Sequence, residues 1–137
     1  MNGHYILIGQ TPVPIEVDPY TPEGIRGLLE WAEWFETSSS ERVVCQTKLL
    51  GIVFVSTVFL GLDHAWMGGP PMLFETMAFW RGGEDGEGYE QQRCSTWLEA
   101  EEQHRRVCRE VTRPRALASW VARAWAACWK RARTTRR

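Results

Sequence analysis

Asp63, His64, Glu75 and His104 are side chains of the types that acid–base or metal chemistry uses. A histidine flanked by carboxylates can act as a general base or hold a divalent cation. Asp63 and His64 close the apolar run Val55-Ser56-Thr57-Val58-Phe59-Leu60-Gly61-Leu62. Glu75 lies in the next run, Met72-Leu73-Phe74-Glu75-Thr76-Met77. Neighbouring strand residues point to opposite faces, so Asp63 and His64 converge only where the chain turns. A plain reading competes at each position. Asp63 can accept backbone N–H groups of the following loop, as in an Asx turn, which leaves His64 an ordinary loop residue. Glu75 needs a cationic partner if it faces the core, because an unpaired buried carboxylate is costly; Arg26, Arg42 and Lys48 are candidates. His104, in helical register with Trp97 and Val107, reads as a core histidine hydrogen-bonded to a sheet.

Other catalytic signatures are missing. Ser56 and Thr57 lie mid-strand with no G-x-S-x-G elbow around them. There is no Walker A loop and no G-x-G-x-x-G. The glycines at 82, 83, 86 and 88 alternate with Glu84, Asp85 and Glu87, a combination that repels phosphate. Cys45, Cys94, Cys108 and Cys128 form no CxxC pair and show no zinc spacing with histidine. The expectation is a protein without cofactor or metal, and not an enzyme. The start Met1-Asn2-Gly3-His4 has no signal-peptide pattern. The longest apolar run, Gly51 to Leu62, is too short and too strand-like to cross a bilayer. Cytoplasmic residence with free thiols is expected.

Charge divides the chain. Residues 1–112 hold all 17 acids and 8 of the 16 bases, a net −9; residues 113–137 hold the other 8 bases and no acid, a net +8. Within the basic part Leu117, Trp120, Val121, Ala124, Trp125, Cys128 and Trp129 form one broad helical stripe. Arg115, Arg123 and Lys130 lie elsewhere on the helix, and Arg131, Arg133, Arg136 and Arg137 follow. Three uses compete for it. Trp120 and Trp125 can complete the core or a dimer seam, the basic end can follow a phosphate backbone with help from Trp129, or the helix can lie on a membrane surface. The many alanines and scarce deep apolar bulk argue against the membrane.

The elements that must position these residues follow from patterning. Tyr5 to Ile8 reads as a short strand ended by Gly9, and Val13 to Val17 as a proline-bearing edge extension. Thr21-Pro22-Glu23 starts a helix, with Thr as cap and Pro at the first position. Its apolar stripe is Ile25, Leu28, Leu29, Ala32 and Phe35, flanked by Trp31 and Trp34. Strands are predicted over Arg42–Leu50, Ile52–Leu62 and Met72–Trp80, with Gly51 as turn or bulge between the first two. Closing the hairpin around Gly68-Gly69-Pro70-Pro71 sets Leu62 by Leu73 and Leu60 by Glu75. Thr96 and Glu99 have capping-box spacing at the head of a second helix, and a third runs from Pro114 to about Lys130. The economical fold is α+β: a small antiparallel sheet of three to four strands with two to three helices packed on one face. Residues 1–112 form the core domain, and 113–137 the basic, Trp-rich helix and tail.

The central block, Val55 to His64, then Gly69-Pro70-Pro71 and Leu73 to Met77, resembles small proteins encoded by bacteriophages and prophages of high-GC bacteria. The likeness spans roughly residues 4–107 and leaves out the last helix and basic tail. It implies a phage setting in a bacterial host cell and no activity. The chain is small, rich in tryptophan and segregated in charge, which fits non-enzymatic binding of a host or phage protein complex by electrostatically steered association. Inhibition of a bacterial defence system, in an anti-CRISPR-like role, is a concrete form of that expectation. The expected contact residues are Trp66, Trp80, Glu84, Asp85 and Glu87, with Trp120, Arg123, Trp125, Trp129, Lys130 and Arg131 on the last helix. Nucleic-acid binding through the tail and a metal-dependent enzyme built on Asp63, His64 and Glu75 are the alternatives, and a homodimer through the Trp-rich helix is compatible with the first reading.

Overall fold

The computed structural model describes residues 3–81 and 91–134. The chain opens with a hairpin, β1 (His4–Ile8) and β2 (Thr11–Ile15), and continues into helix α1 (Pro22–Thr37). A four-stranded antiparallel meander follows: β3 (Val43–Leu49), β4 (Val53–Phe59), β5 (Phe74–Trp80) and β6 (Gln92–Cys94), hydrogen-bonded in that order. Helices α2 (Trp97–Val111) and α3 (Pro114–Thr134) end the chain. The α+β class, with a small antiparallel sheet backed by helices, is as the patterning predicts. The fourth sheet strand is β6, a segment of three residues that carries no period of its own.

Strict alternation in β4 decides which face is buried. Val53, Val55, Thr57 and Phe59 are buried against α2, whereas Phe54, Ser56 and Val58 are only half-buried on the other face. α2 supplies Ala100, Gln103, His104, Val107 and Val111 to the same layer. Thr96 caps it in a reciprocal capping box with Glu99. Hydrophobic residues gather at the two ends of this layer. One cluster holds Leu7, Phe59, Leu73, Phe74 and Ala100, with Trp34 and Trp97 packed on it. The other holds Val53, Val55, Ala78, Val107 and Val111, with Ile52 and Trp80.

The β3–β4 connection is residues 50–52: Leu50 and Gly51, both with positive φ, are the central pair of a tight turn closed by Ile52 N–H on the Leu49 carbonyl. Gly51 is thus a turn residue, and the bulge falls earlier, between Val43 and Cys45. The β4–β5 register corrects the expected pairing: Phe59 faces Phe74 and Val58 faces Glu75, two residues away from Leu60 by Glu75. A shift of two keeps every side chain on its face. The ladder stops early because Gly61 turns the chain at φ +74° and delivers it to the first hairpin. There the Gly61 carbonyl accepts from Tyr5 N–H, and Asp63 N–H donates to the Gly3 carbonyl.

The face of α1 is also corrected. Gly24, Gly27 and Ser38 are buried and Trp31, Trp34 and Phe35 half-buried, whereas Ile25, Leu28 and Leu29 are exposed. The cause is close approach: a Cβ on Gly24 would overlap the Asp18 backbone, and one on Gly27 the Glu16 carbonyl. The helix lies on β2 and its following loop by its glycine side, which turns the leucines outward. The Trp31 indole N–H then reaches the Tyr5 and Gly61 carbonyls at 3.2 and 3.0 Å.

Candidate functional site

His104 projects from α2 onto β3 and β4. Its Nε2 lies 2.9 Å from Thr47 Oγ1 and its Nδ1 2.8 Å from Thr57 Oγ1, and Thr57 Oγ1 is in turn 2.7 Å from Thr76 Oγ1. A neutral imidazole has one donor and one acceptor nitrogen, so this row can be polarised in one direction with every group satisfied. Burial lowers the His104 pKa, which favours that neutral form. His104 is 4% exposed, with both ring nitrogens engaged. It is a core histidine bonded to the sheet, as its place in the sequence predicts.

Asp63 and Glu75 are each engaged with other partners, and His64 donates its backbone N–H to the Met72 carbonyl. Asp63 Oδ1 accepts from Ala65 N–H at 2.8 Å and from Met72 N–H at 2.9 Å, clamping both ends of the loop between β4 and β5. Glu75 Oε2 accepts from Arg93 Nε at 2.9 Å across the β5–β6 pair. Its partner is therefore Arg93, and not Arg26, Arg42 or Lys48. Glu75 points away from α2, because its neighbours Phe74 and Thr76 point toward it. The sheet thus stands between Glu75 and His104. Among the described residues no group of three or more His, Cys, Asp or Glu side chains is placed to hold a metal ion.

The thiols are unpaired. Burial raises the pKa of Cys45 and Cys108, and pushes that of Cys94 up to about 11. All three are poor nucleophiles at neutral pH, where the thiolate is the reacting species.

What the described surface offers is contact area. α3 touches the body through α2 and through Trp120, whose ring stacks on Trp80 at 5.4 Å with 20° between planes. Trp80 was expected as exposed contact surface; it is half-buried in that stack and in the second core cluster. Beyond Trp120 the apolar side of α3 carries Val121, Ala124, Trp125, Cys128 and Trp129, which line one continuous open face. Trp125 is 71% exposed. Arg115, Arg123, Lys130 and Arg131 are exposed on the same helix, with no acid along its length. No described helix is long and apolar enough to cross a membrane.

A second exposed surface is the loop held by Asp63, where Trp66 is 86% exposed. Met67 beside it is as open, although nothing in its sequence context marks it as contact surface. Glu84, Asp85 and Glu87 lie outside the described residues. The third surface is Ile25, Leu28 and Leu29, part of the apolar stripe of α1; the sequence signal for their exposure is Gly24 and Gly27 at helical spacing, which marks close backbone approach on the other side. No protein-family model, curated protein or solved structure matches the chain.

Proposed function

We propose that this chain acts by binding another protein through α3 and does not turn over a substrate. The observation that carries the proposal is the apolar face of α3 around Trp125, left open by the body and set on a wholly basic helix. Contiguous exposed apolar area rimmed by charge marks interaction sites, and tryptophan and arginine dominate interface hot spots. The split into a −9 body and a +8 end supports steered association with an oppositely charged partner. The resemblance to phage and prophage proteins makes the partner, in this proposal, a protein complex of the bacterial cytoplasm. Inhibition of a host defence system is its most concrete form.

The eight bases and no acid of residues 113–137 favour a second reading, in which α3 follows a nucleic-acid backbone. Affinity capture of the tagged chain from bacterial lysate, with and without nuclease, separates the two. A protein retained in near-stoichiometric yield after nuclease, and lost with Trp125→Glu, supports the first. Capture abolished by nuclease sinks it in favour of the second.

A further inference from the structure

We propose that α3 of one copy docks on the exposed face of α1 of a second copy, reciprocally, so that the chain forms a two-fold dimer. This rests on reading α3 as a docking element, and it names an occupant for the face around Trp125.

Each chain carries two open apolar helix faces. One is Val121, Ala124 and Trp125 on α3; the other is Ile25, Leu28 and Leu29 on α1, where Leu29 is 66% exposed. Their charges are opposite. α1 has four glutamates (Glu23, Glu30, Glu33 and Glu36) against Arg26, a net −3, and α3 has five bases and no acid, a net +5. Pairing α3 with α3 sets +5 against +5, and pairing α1 with α1 sets −3 against −3. Only α3 on α1 covers both apolar faces and joins opposite charges. A nucleic acid would answer the arginines and could stack on the tryptophans, but it would leave the apolar, acidic face of α1 uncovered.

Position in the fold makes the contact intermolecular. α1 packs at the end of the core that holds Leu7 and Phe59, with Trp34 edge-on to Phe59. α3 leaves from the opposite end, where Trp120 rests on Trp80 beside Val53. The described part of α3 after Trp120 spans roughly 20 Å at the usual helical rise, about the length of α1. Reciprocal exchange of the two helices closes the assembly with two-fold symmetry, so no face is left to propagate a fibre.

The test uses the full chain, purified free of nucleic acid, in sedimentation equilibrium. Trp125→Glu removes the arm contact and Leu29→Glu removes the receiving face; both residues are exposed, so far-UV circular dichroism should show intact folds. The wild type should be a dimer that weakens as salt rises from 0.1 to 1 M, on the order of the screening range. Each variant alone loses the anchor at both contacts and should dissociate on the order of 1,000-fold more readily, about 30-fold for each hot-spot anchor. An equimolar mixture of the two should recover a heterodimer, because one intact arm then meets one intact face. A monomeric wild type overturns the proposal. So does a Leu29→Glu protein that remains dimeric, or a dimer that tightens with salt, since both point to α3 against α3. A monomer that instead binds a short DNA duplex or phosphatidylglycerol vesicles also overturns it and identifies the other occupant. Lysate capture reads the proposed function separately: a dimer that captures no bacterial protein sinks the partner reading and leaves the dimer, and a monomer that captures one does the reverse.

Discussion

The Nδ1 atom of His104 stands 2.8 Å from the hydroxyl of Thr57, in a polar row that runs between the two hydrophobic clusters. The row joins α2 to three strands of the sheet through Thr47, Thr57 and Thr76. Thr57→Val keeps the side-chain shape and strands an imidazole nitrogen and the Thr76 hydroxyl. A buried group left without its partner costs about 1–3 kcal/mol. The urea midpoint should fall accordingly with the slope unchanged; an unmoved midpoint would show that the row contributes nothing.

Burial lowers the pKa of His104 and, in the same direction, of His4. Protons then bind the unfolded chain more readily than the folded one below the ordinary histidine value of about 6.5. Their contribution to stability is full above that pH and is lost as pH falls through the lowered values. Denaturation midpoints measured from pH 7.5 down to 5 should decline, and His104→Gln should flatten the decline. An equally steep decline in that variant would put the effect elsewhere.

Asp63 closes the loop that carries Trp66 by accepting at both ends, from Ala65 and Met72. Asp63→Ala should cost about 1–3 kcal/mol and speed amide exchange at Ala65 and Met72. Asp63→Asn should lose less, because an amide oxygen still accepts. Equal losses in the two variants would assign the effect to the negative charge.

Gly27 touches the Glu16 carbonyl so closely that no Cβ fits. Gly27→Ala should destabilise by about 3 kcal/mol, the upper part of the overpacking range. In an exposed helix the same change stabilises. A thermal midpoint raised by the substitution would contradict the packing of α1 on β2.

Truncation before Arg113 removes the Trp120 ring from Trp80 and leaves both core clusters in place. The shortened chain should unfold cooperatively with a loss of about 1–2 kcal/mol, on the scale of an aromatic pair and its area. Loss of cooperativity would make α3 an integral part of the core.

Much of this protein is local information and is legible without coordinates. The strands β3 to β5 announce themselves by β-branched runs, the helix starts by Thr21-Pro22 and by Thr96 with Glu99, and the chain's electrical division by counting. The core role of His104 also follows from its helical register with Trp97 and Val107. Three decisions were not local. The partner of Glu75 is Arg93 because β6 pairs with β5, and a strand of three residues has too few side chains to show a period. The hairpin register is set where Gly61 leaves the ladder for β1, a contact between segments more than fifty residues apart. The outward turn of Ile25, Leu28 and Leu29 depends on how near α1 lies to Glu16 and Asp18. Periodicity shows that a helix has two sides. Which side is buried is decided by the space between backbones, and there the two glycines fit and the leucines do not.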